Sequence, residues 1–390
     1  MTEKKTTRAR LLAVFAAAAV FAAACSTPAA STAPSVAAPS VAAPSVAASD
    51  AAPSAAGSYK IGYSNGGGVG NGFREEQVCT AKAEALSSGQ VSELITIHRN
   101  TDAAGQLQDI RDLIAADVDA IVFNPNDPDA LNPALAEAKA AGIRTVSVDA
   151  FVTDPDTYNL YNNQEEYAYL GASWLFKQLN GTGNVWYTRG IAGNPADTDR
   201  DTGFKRALAE NPGIKVVPSA EGVHTDWDPA KATQLANDFV ASGDYDTVQG
   251  IWTSGMDSQV VDVVKAANKP YVPIVGADLG AFVGQLTNPT DYPELKGAAV
   301  TNTAAVGGAG IGLALKLLNG ETVETAAAPA RANTVLLDPV VADNVTDEGK
   351  ALLESWKVDG LDPLWPLGLQ IEGYTTYTPD QAVACKGPGE

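Results

Sequence analysis

Histidine is nearly absent: His98 and His224 are the only two in 390 residues. That scarcity argues against hydrolases that use imidazole as a base and against zinc sites built from it. Cysteine is almost as rare, with Cys25, Cys79 and Cys385 alone, and no C-x-x-C can be drawn through them. Neither H-E-x-x-H nor G-x-x-x-x-G-K-[ST] occurs, which excludes the zincin and P-loop signatures. No metal site and no cofactor is therefore expected. Basic residues are also few, 26 Lys and Arg against 46 Asp and Glu, giving a net charge of −20. Nucleic-acid binding needs basic surface to neutralise phosphates, so it is not expected either. The apolar run at 11–23 is shorter than the roughly 20 residues that a spanning helix takes.

That run is the core of an export signal, preceded by Lys4, Lys5, Arg8 and Arg10. It ends in Ala22-Ala23-Ala24-Cys25, which resembles the lipobox of bacterial lipoproteins. The resemblance implies removal of residues 1–24 and lipidation of Cys25. Residues 25–58 follow as a tether in which Pro-Ser-Val recurs at 34–36, 39–41 and 44–46. Ala, Pro and Ser bury no core, so this segment is expected to be a disordered spacer. The expected location is the extracytoplasmic face of the cell membrane. With Cys25 lipidated, Cys79 and Cys385 remain as a pair in an oxidising compartment, where a disulfide is expected.

The folded part is organised around residues 59–86. A strand at 59–63 leads into a loop with Gly at 66, 67, 68, 70 and 72. A helix follows, with Val78, Ala81, Ala85 and Leu86 on one face of a 3.6-residue period. No G-x-G-x-x-G passes through the loop, so it reads as a lip for an uncharged polar ligand rather than a phosphate cradle. Strands at 94–97, 120–123 and 143–148 alternate with two more helices. Asp127-Pro128 reads as N-cap and first residue of the second of these, and Gly142 as its stop. Asn124-Pro125 reads as a strand-ending turn. Residues 150–165, rich in Asp, Asn and Tyr, interrupt the rhythm. It resumes with helices over 169–179 and 200–210 and strands near 184–187, 214–217, 247–252, 274–275 and 297–300. A helix of small residues after Thr303 and a strand at 334–337 follow. Such alternation predicts parallel sheets covered on both faces, arranged as two α/β lobes. The tail beyond 340, with one amphipathic helix near 347–356, should pack on a lobe.

Several landmarks, taken in order, resemble the type I periplasmic sugar-binding proteins, the ribose- and galactose-binding group of ABC importers. They are Asn71-Gly72-Phe73, Asn124-Pro125, Asp149, the run 190–193 followed by Arg200 and Gly203-Phe204, Asp226-Trp227-Asp228, and Val275 to Asp278. The resemblance covers about 59–340. It implies two Rossmann-like lobes joined by three hinge crossovers, near 160–164, 301–304 and 337–340. The lobes would be 59–161 plus 303–337, and 162–302 plus 338–390 with the tail. It places a ligand between them, touched by Asn71, Phe73, Arg74, Asp149, Asn163 or its neighbour Gln164, Arg200, Trp227, Asp257, Asp278 and Asn302. Carboxylates accept paired sugar hydroxyls, an Arg fork donates to them, and Phe73 and Trp227 offer flat apolar faces. The chain departs from the family pattern at Arg74, at Ala150 and at Gly255-Met256-Asp257, which leaves the sugar open.

The function expected from all this is a monomeric, lipid-anchored solute-binding protein. It would capture a small sugar or polyol and deliver it to an ABC permease. A sugar sensor for a membrane receptor and an exported carbohydrate-active enzyme are the alternatives. A sugar-responsive transcription regulator would need an N-terminal helix-turn-helix, where this chain has an export signal.

Overall fold

The computed structural model describes residues 58–326 and 333–390. The signal segment, Cys25 and all but the last residue of the tether lie outside them. The first lobe opens with β1 (Tyr59–Asn65), α1 (Gly72–Ser87), β2 (Val91–His98), α2 (Ala103–Ala115) and β3 (Ala120–Asn124). It continues with α3 (Asn132–Ala140), β4 (Arg144–Val148) and β5 (Tyr158–Asn162). The chain then crosses at Asn163 into the second lobe. There α4 (Gln164–Gln178), β6 (Thr182–Arg189), α5 (Pro195–Glu210), β7 (Gly213–Val217) and β8 (Val223–His224) come first. They are followed by α6 (Pro229–Ala241), β9 (Gly250–Trp252), α7 (Asp257–Ala266), β10 (Ile274–Ala277), α8 (Gly280–Leu286) and β11 (Gly297–Val300). A second crossing at 301–305 returns it to the first lobe for α9 (Val306–Leu318) and β12 (Thr334–Leu337). A third, at 338–340, leads back to β13 (Val341–Asp343) and α10 (Asp347–Ser355), before α11 (Pro379–Ala384).

The first sheet has the order β12-β5-β4-β3-β1-β2 and is parallel throughout. The second runs β13-β11-β10-β9-β6-β7, with only β13 antiparallel, and β8 pairs with the end of β6. Both are buried on two faces, as the apolar runs of β3 and β10 require. In such sheets the strand carboxyl ends carry the ligand loops.

Helix α9 shows why its sequence is so poor in large side chains. It is wedged between α1, the sheet and the tail, and Val306 to Leu315 are buried along its length. A Cβ at Gly307 would collide with the Gln77 carbonyl oxygen, and one at Gly312 with that of Tyr374. Small residues let backbone meet backbone here.

Three readings of the sequence need correction. The Asn- and Tyr-rich stretch taken as a break contains β5, paired with β4 on one side and β12 on the other. Its polar side chains are satisfied inside the sheet layer: Asn159 Oδ1 accepts from Ser147 Oγ at 2.6 Å and from Val152 N at 2.9 Å. Asp127 does not cap α3. Its carboxylate accepts from Asp129 N and Ala130 N in a separate turn, and the helix begins at Asn132.

The third correction concerns the tail, which the sequence-based lobe assignment groups with the second lobe although the expected Cys79–Cys385 bridge, present here, ties its end to the first lobe's opening helix. Residues 363–369 run along the end of β10: Ala281 N donates to Pro363 O (2.7 Å), Gly280 N to Trp365 O (3.0 Å) and Leu367 N to Asp278 O (2.9 Å). The same segment lies against the start of α1, where a Cβ at Gly72 would come 2.7 Å from Leu364 O. Beyond it the tail docks on the first lobe. Thr376 N donates to Glu84 Oε2 at 2.6 Å, and Tyr377 is buried beside Ala83 and Ala382. Cys385 is disulfide-bonded to Cys79 of α1. The tail is thus a fourth connection between the lobes.

Candidate functional site

Each lobe turns the carboxyl ends of its strands toward the other, and polar side chains are concentrated there. In the first lobe Asn65 ends β1, Asn124 ends β3, Asp149 follows β4 and Asn162 ends β5. They form one network. Gln77 Oε1 accepts from Asn124 Nδ2 (2.9 Å) and Asn65 Nδ2 (3.4 Å), and Asn124 Nδ2 also donates to Asp149 Oδ2 (3.1 Å). Asn162 Nδ2 donates to Asp149 Oδ1 (3.5 Å) and to Thr303 O (3.1 Å), tying the site to the second crossover. Arg74 Nη1 donates to Asn65 Oδ1 at 3.2 Å, which holds its guanidinium over the end of β1. Asp149 has a positive φ of 64°. That is uncommon outside glycine and turns its carboxylate back over the strand ends.

In the second lobe the centre is Arg200 on α5, only 4% exposed. Its Nε donates to Gln164 Oε1 (2.7 Å) and its Nη1 to Ser254 O (2.8 Å) and Ser254 Oγ (3.1 Å). The guanidinium lies 4.2 Å from the Tyr167 ring centroid and 5.7 Å from that of Trp227. Nη2 has no hydrogen-bond partner among the described residues. Trp227 donates from Nε1 to Ser254 O at 2.8 Å and packs against the backbone of Gly190. Asp226 and Trp227 both have positive φ, 56° and 53°, so this tight pair of residues is shaped to present the indole.

Asp278, at the end of β10, is fully buried. Its Oδ1 accepts from Asn302 N at 2.9 Å, while Asn302 Oδ1 accepts from Gln164 Nε2 at 2.9 Å. Burial pushes the Asp278 carboxyl up to about 6, against the pull of backbone donors and of the Arg200 charge. Asp257 is buried too and is pushed up to about 7 by desolvation. Its Oδ1 accepts from Thr253 Oγ1 (2.6 Å) and Ala277 N (3.1 Å), so it ties β9 to β10 from beneath the strand ends.

The expected site residues therefore divide. Arg74, Asp149, Arg200, Trp227, Asp278 and Asn302 gather at the facing strand ends. Asn71 caps α1, accepting from Arg74 N, and Phe73 is half-buried at the first turn of that helix. Asn163 is occupied at the hinge: it caps α4 and donates to Asp338 Oδ1 at 3.0 Å. Its neighbour Gln164 makes the contacts within the site. Asn124, read from sequence as part of a turn, belongs to the network. Glu76, Gln77, Tyr63, Tyr167 and Ser254 carried no sequence signal at all, since polar residues on a helix or at a strand end look alike whether they face water or a partner lobe.

The two lobes meet here. Tyr161 of β5 donates to Asp199 of α5, and Thr303 Oγ1 donates to Gly368 O of the tail. Several buried polar atoms nevertheless lack a partner among the described residues: Tyr63 Oη, both Glu76 oxygens, Gln77 Nε2, Tyr167 Oη and Asp278 Oδ2. A surface hollow lined by Lys269, Tyr271, Pro273 and Lys296 lies instead at the amino ends of β10 and β11. Among the described residues no group of three His, Cys, Asp or Glu side chains could hold a metal ion.

The family described as periplasmic binding protein domain matches residues 61–322. The chain belongs to that family. Among its curated relatives is the xylitol-binding protein of Mycolicibacterium smegmatis, 29% identical over 60% of this chain and 66% of the relative. The galactofuranose-binding protein of Escherichia coli is 29% identical over 46% of this chain and 56% of that one. The match thus spans less than two thirds of either relative. A solved ABC transporter solute-binding protein from Thermobispora bispora superposes with a TM-score of 0.65 at 23% identity, over 79% of this chain and 90% of that one. At that identity it speaks for the fold, the two-lobed type I architecture. The matched residues include the facing strand ends of both lobes, from Asn65 to Asn302.

Proposed function

We propose that this protein is an extracytoplasmic solute-binding protein that closes around a small sugar or polyol. We further propose that Cys25 anchors it to the membrane and that it hands its ligand to an ABC importer. One observation carries the ligand class: unpartnered buried donors and acceptors from both lobes converge on one cleft, beside a single buried cation. Buried polar groups are normally paired, so such a set calls for a ligand rich in hydroxyls, each able to donate and accept. A ligand with a strong net charge fits poorly, since Asp149 and Asp278 face the cleft along with Arg74 and Arg200. The names of the relatives, for xylitol and galactofuranose, support the same class. We read the acids as hydroxyl acceptors and the protein as a binder, not a catalyst.

A thermal-shift screen over pentoses, hexoses and polyols tests the reading. A ligand at a hundred times its dissociation constant adds about 2.7 kcal/mol of stability. X-ray scattering of the best ligand's complex should show compaction as the lobes close, the hinge motion typical of periplasmic binding proteins. A flat screen would overturn the ligand class. For the anchor, Cys25→Ser should move the protein from the membrane fraction into the soluble one, and an unchanged distribution would remove the lipid from the proposal.

A further inference from the structure

The tail is anchored to two bodies in turn. Residues 363–368 belong to the second lobe. Pro363 O and Trp365 O accept from Ala281 N and Gly280 N at the start of α8, Leu367 N donates to Asp278 O, and Pro366 pairs with Leu279 in an antiparallel bridge. Leu367 is part of that lobe's core. From Ile371 onward the tail belongs to the first lobe. Ile371 and Tyr374 pack on its core, and Glu84 of α1 holds Thr376. Only Leu369 and Gln370 join the two stretches. The chain changes lobes there, beside Thr303 of the second crossover, which donates to Gly368 O.

One contact cuts across this division. Leu364 and Trp365, carried by the second lobe, lie against the first turn of α1, in the first lobe. A Cβ at Gly72 would stand 2.7 Å from Leu364 O and 2.9 Å from Trp365 Cδ1. Only a residue without a side chain allows that approach. Backbone conformation does not demand glycine here, since the φ of Gly72 lies outside the left-handed region. Gly72 is the first helical residue after the Asn71 cap, where alanine is the better helix former. The surface that meets it is braced. Leu364 N donates to Asp362 Oδ1 at 2.8 Å and Trp365 N to Asp362 O at 2.9 Å, while the carbonyls of Pro363 and Trp365 are tied to α8. A rotation of the second lobe about its crossovers carries 363–368 along with β10 and α8. Gly72 stays behind with β1 and α1.

We infer that Leu364 and Trp365 form a latch seated on Gly72, made as the lobes close and broken as they open. Gly72 and Trp365 are positioning residues: they favour the closed form without touching the ligand. The apparent affinity of a ligand scales with the population of the form that can hold it, so part of the affinity depends on this contact. The inference rests on the proposed closure around a sugar or polyol and deepens it, because it assigns the tail a part in capture.

Calorimetry with xylitol and with D-ribose on wild type, Gly72→Ala, Trp365→Ala and the double variant tests it. Gly72→Ala drives a methyl group into the Leu364 carbonyl and should weaken binding about tenfold or more, because the methyl blocks the closed form. Trp365→Ala removes one side of the latch and should weaken binding about threefold. The double variant should bind no more weakly than Gly72→Ala alone, since a latch already blocked has nothing further to lose. At saturating ligand, X-ray scattering should find Gly72→Ala less compact than wild type. Its unliganded melting temperature should not fall, which separates a latch from a glycine needed by the fold. Wild-type affinity in Gly72→Ala, losses that add in the double variant, or a saturated Gly72→Ala as compact as wild type overturns the latch and leaves the sugar reading intact. Wild type that binds neither probe nor any other sugar or polyol overturns the sugar reading, and the latch with it.

Discussion

Arg200→Ala should weaken ligand binding by about 2–5 kcal/mol, the range seen when one partner of a buried, hydrogen-bonded charge is truncated. The size follows from what the guanidinium holds. Its Nε and Nη1 fix Gln164 and Ser254, and through Gln164 they fix Asn302, which in turn donates to Asp278. Nη2 has no partner among the described residues and is the donor proposed to reach the ligand. Removing the side chain deletes that donor and also frees the groups that shape the other wall. A second effect should accompany the first. The Arg200 charge pulls the Asp278 carboxyl down against burial, so without it Asp278 should keep its proton to higher pH. On acidification, binding should then begin to weaken at a higher pH than in wild type. Arg200→Lys should rescue little, because an ammonium cannot serve Gln164, Ser254 and the ligand in one plane. Calorimetry with the best ligand from the screen decides this; full affinity in Arg200→Ala would mean that the cleft site is misplaced.

Unfolding free energy should fall by about 2–5 kcal/mol in the Cys79→Ala/Cys385→Ala double variant, the usual cost of losing a native disulfide. The bond spans 306 residues of sequence, and the chain-entropy argument grows with loop length. Packing adds to it. Tyr377 and Ala382 are buried against α1 and α9, and Glu84 holds Thr376 through both backbone and hydroxyl. Freed of the disulfide, residues 371–385 keep those contacts but can fray as a unit. Urea titration of the oxidised wild type against the double variant measures the difference. Thiol titration of unfolded, unreduced wild type should find no free cysteine in mature protein whose Cys25 is lipidated. Two reactive thiols, or equal stability, would mean that the bridge is not made in solution.

The parallel α/β plan was readable because buried strands such as β3 and β10 are short apolar runs set between periodic helices. β5 was not, because its sequence, YNLYN, looks like a polar loop and meets its polar needs through Ser147 of β4 and the Val152 amide, pairings that only the folded sheet layer creates. The charged and aromatic members of the cleft, Arg200, Asp278 and Trp227, stood at motif positions and could be picked out. Glu76 could not. An acid on a helix reads as solvent-facing, yet Glu76 is fully buried on a helix that packs against α9 and the C-terminal tail. The tail's own placement is of the same kind. Nothing local to residues 363–377 says that they bridge two lobes; only Cys385 hinted at it.

That tail also bears on how the protein is made. The first lobe takes its opening strands from near residue 60, its central helix from 306–318, its edge strand from 334–337 and its last turns from beyond 370. Such non-local assembly is slow and leaves partly built sheets exposed. A nascent chain that has delivered α1 therefore carries an unpaired thiol at Cys79 and an uncovered acid at Glu76 until residue 385 emerges. The second lobe's strands from β6 to β11 are by then all present. The lobe begun first is the one finished last, and closing the Cys79–Cys385 bond marks its completion.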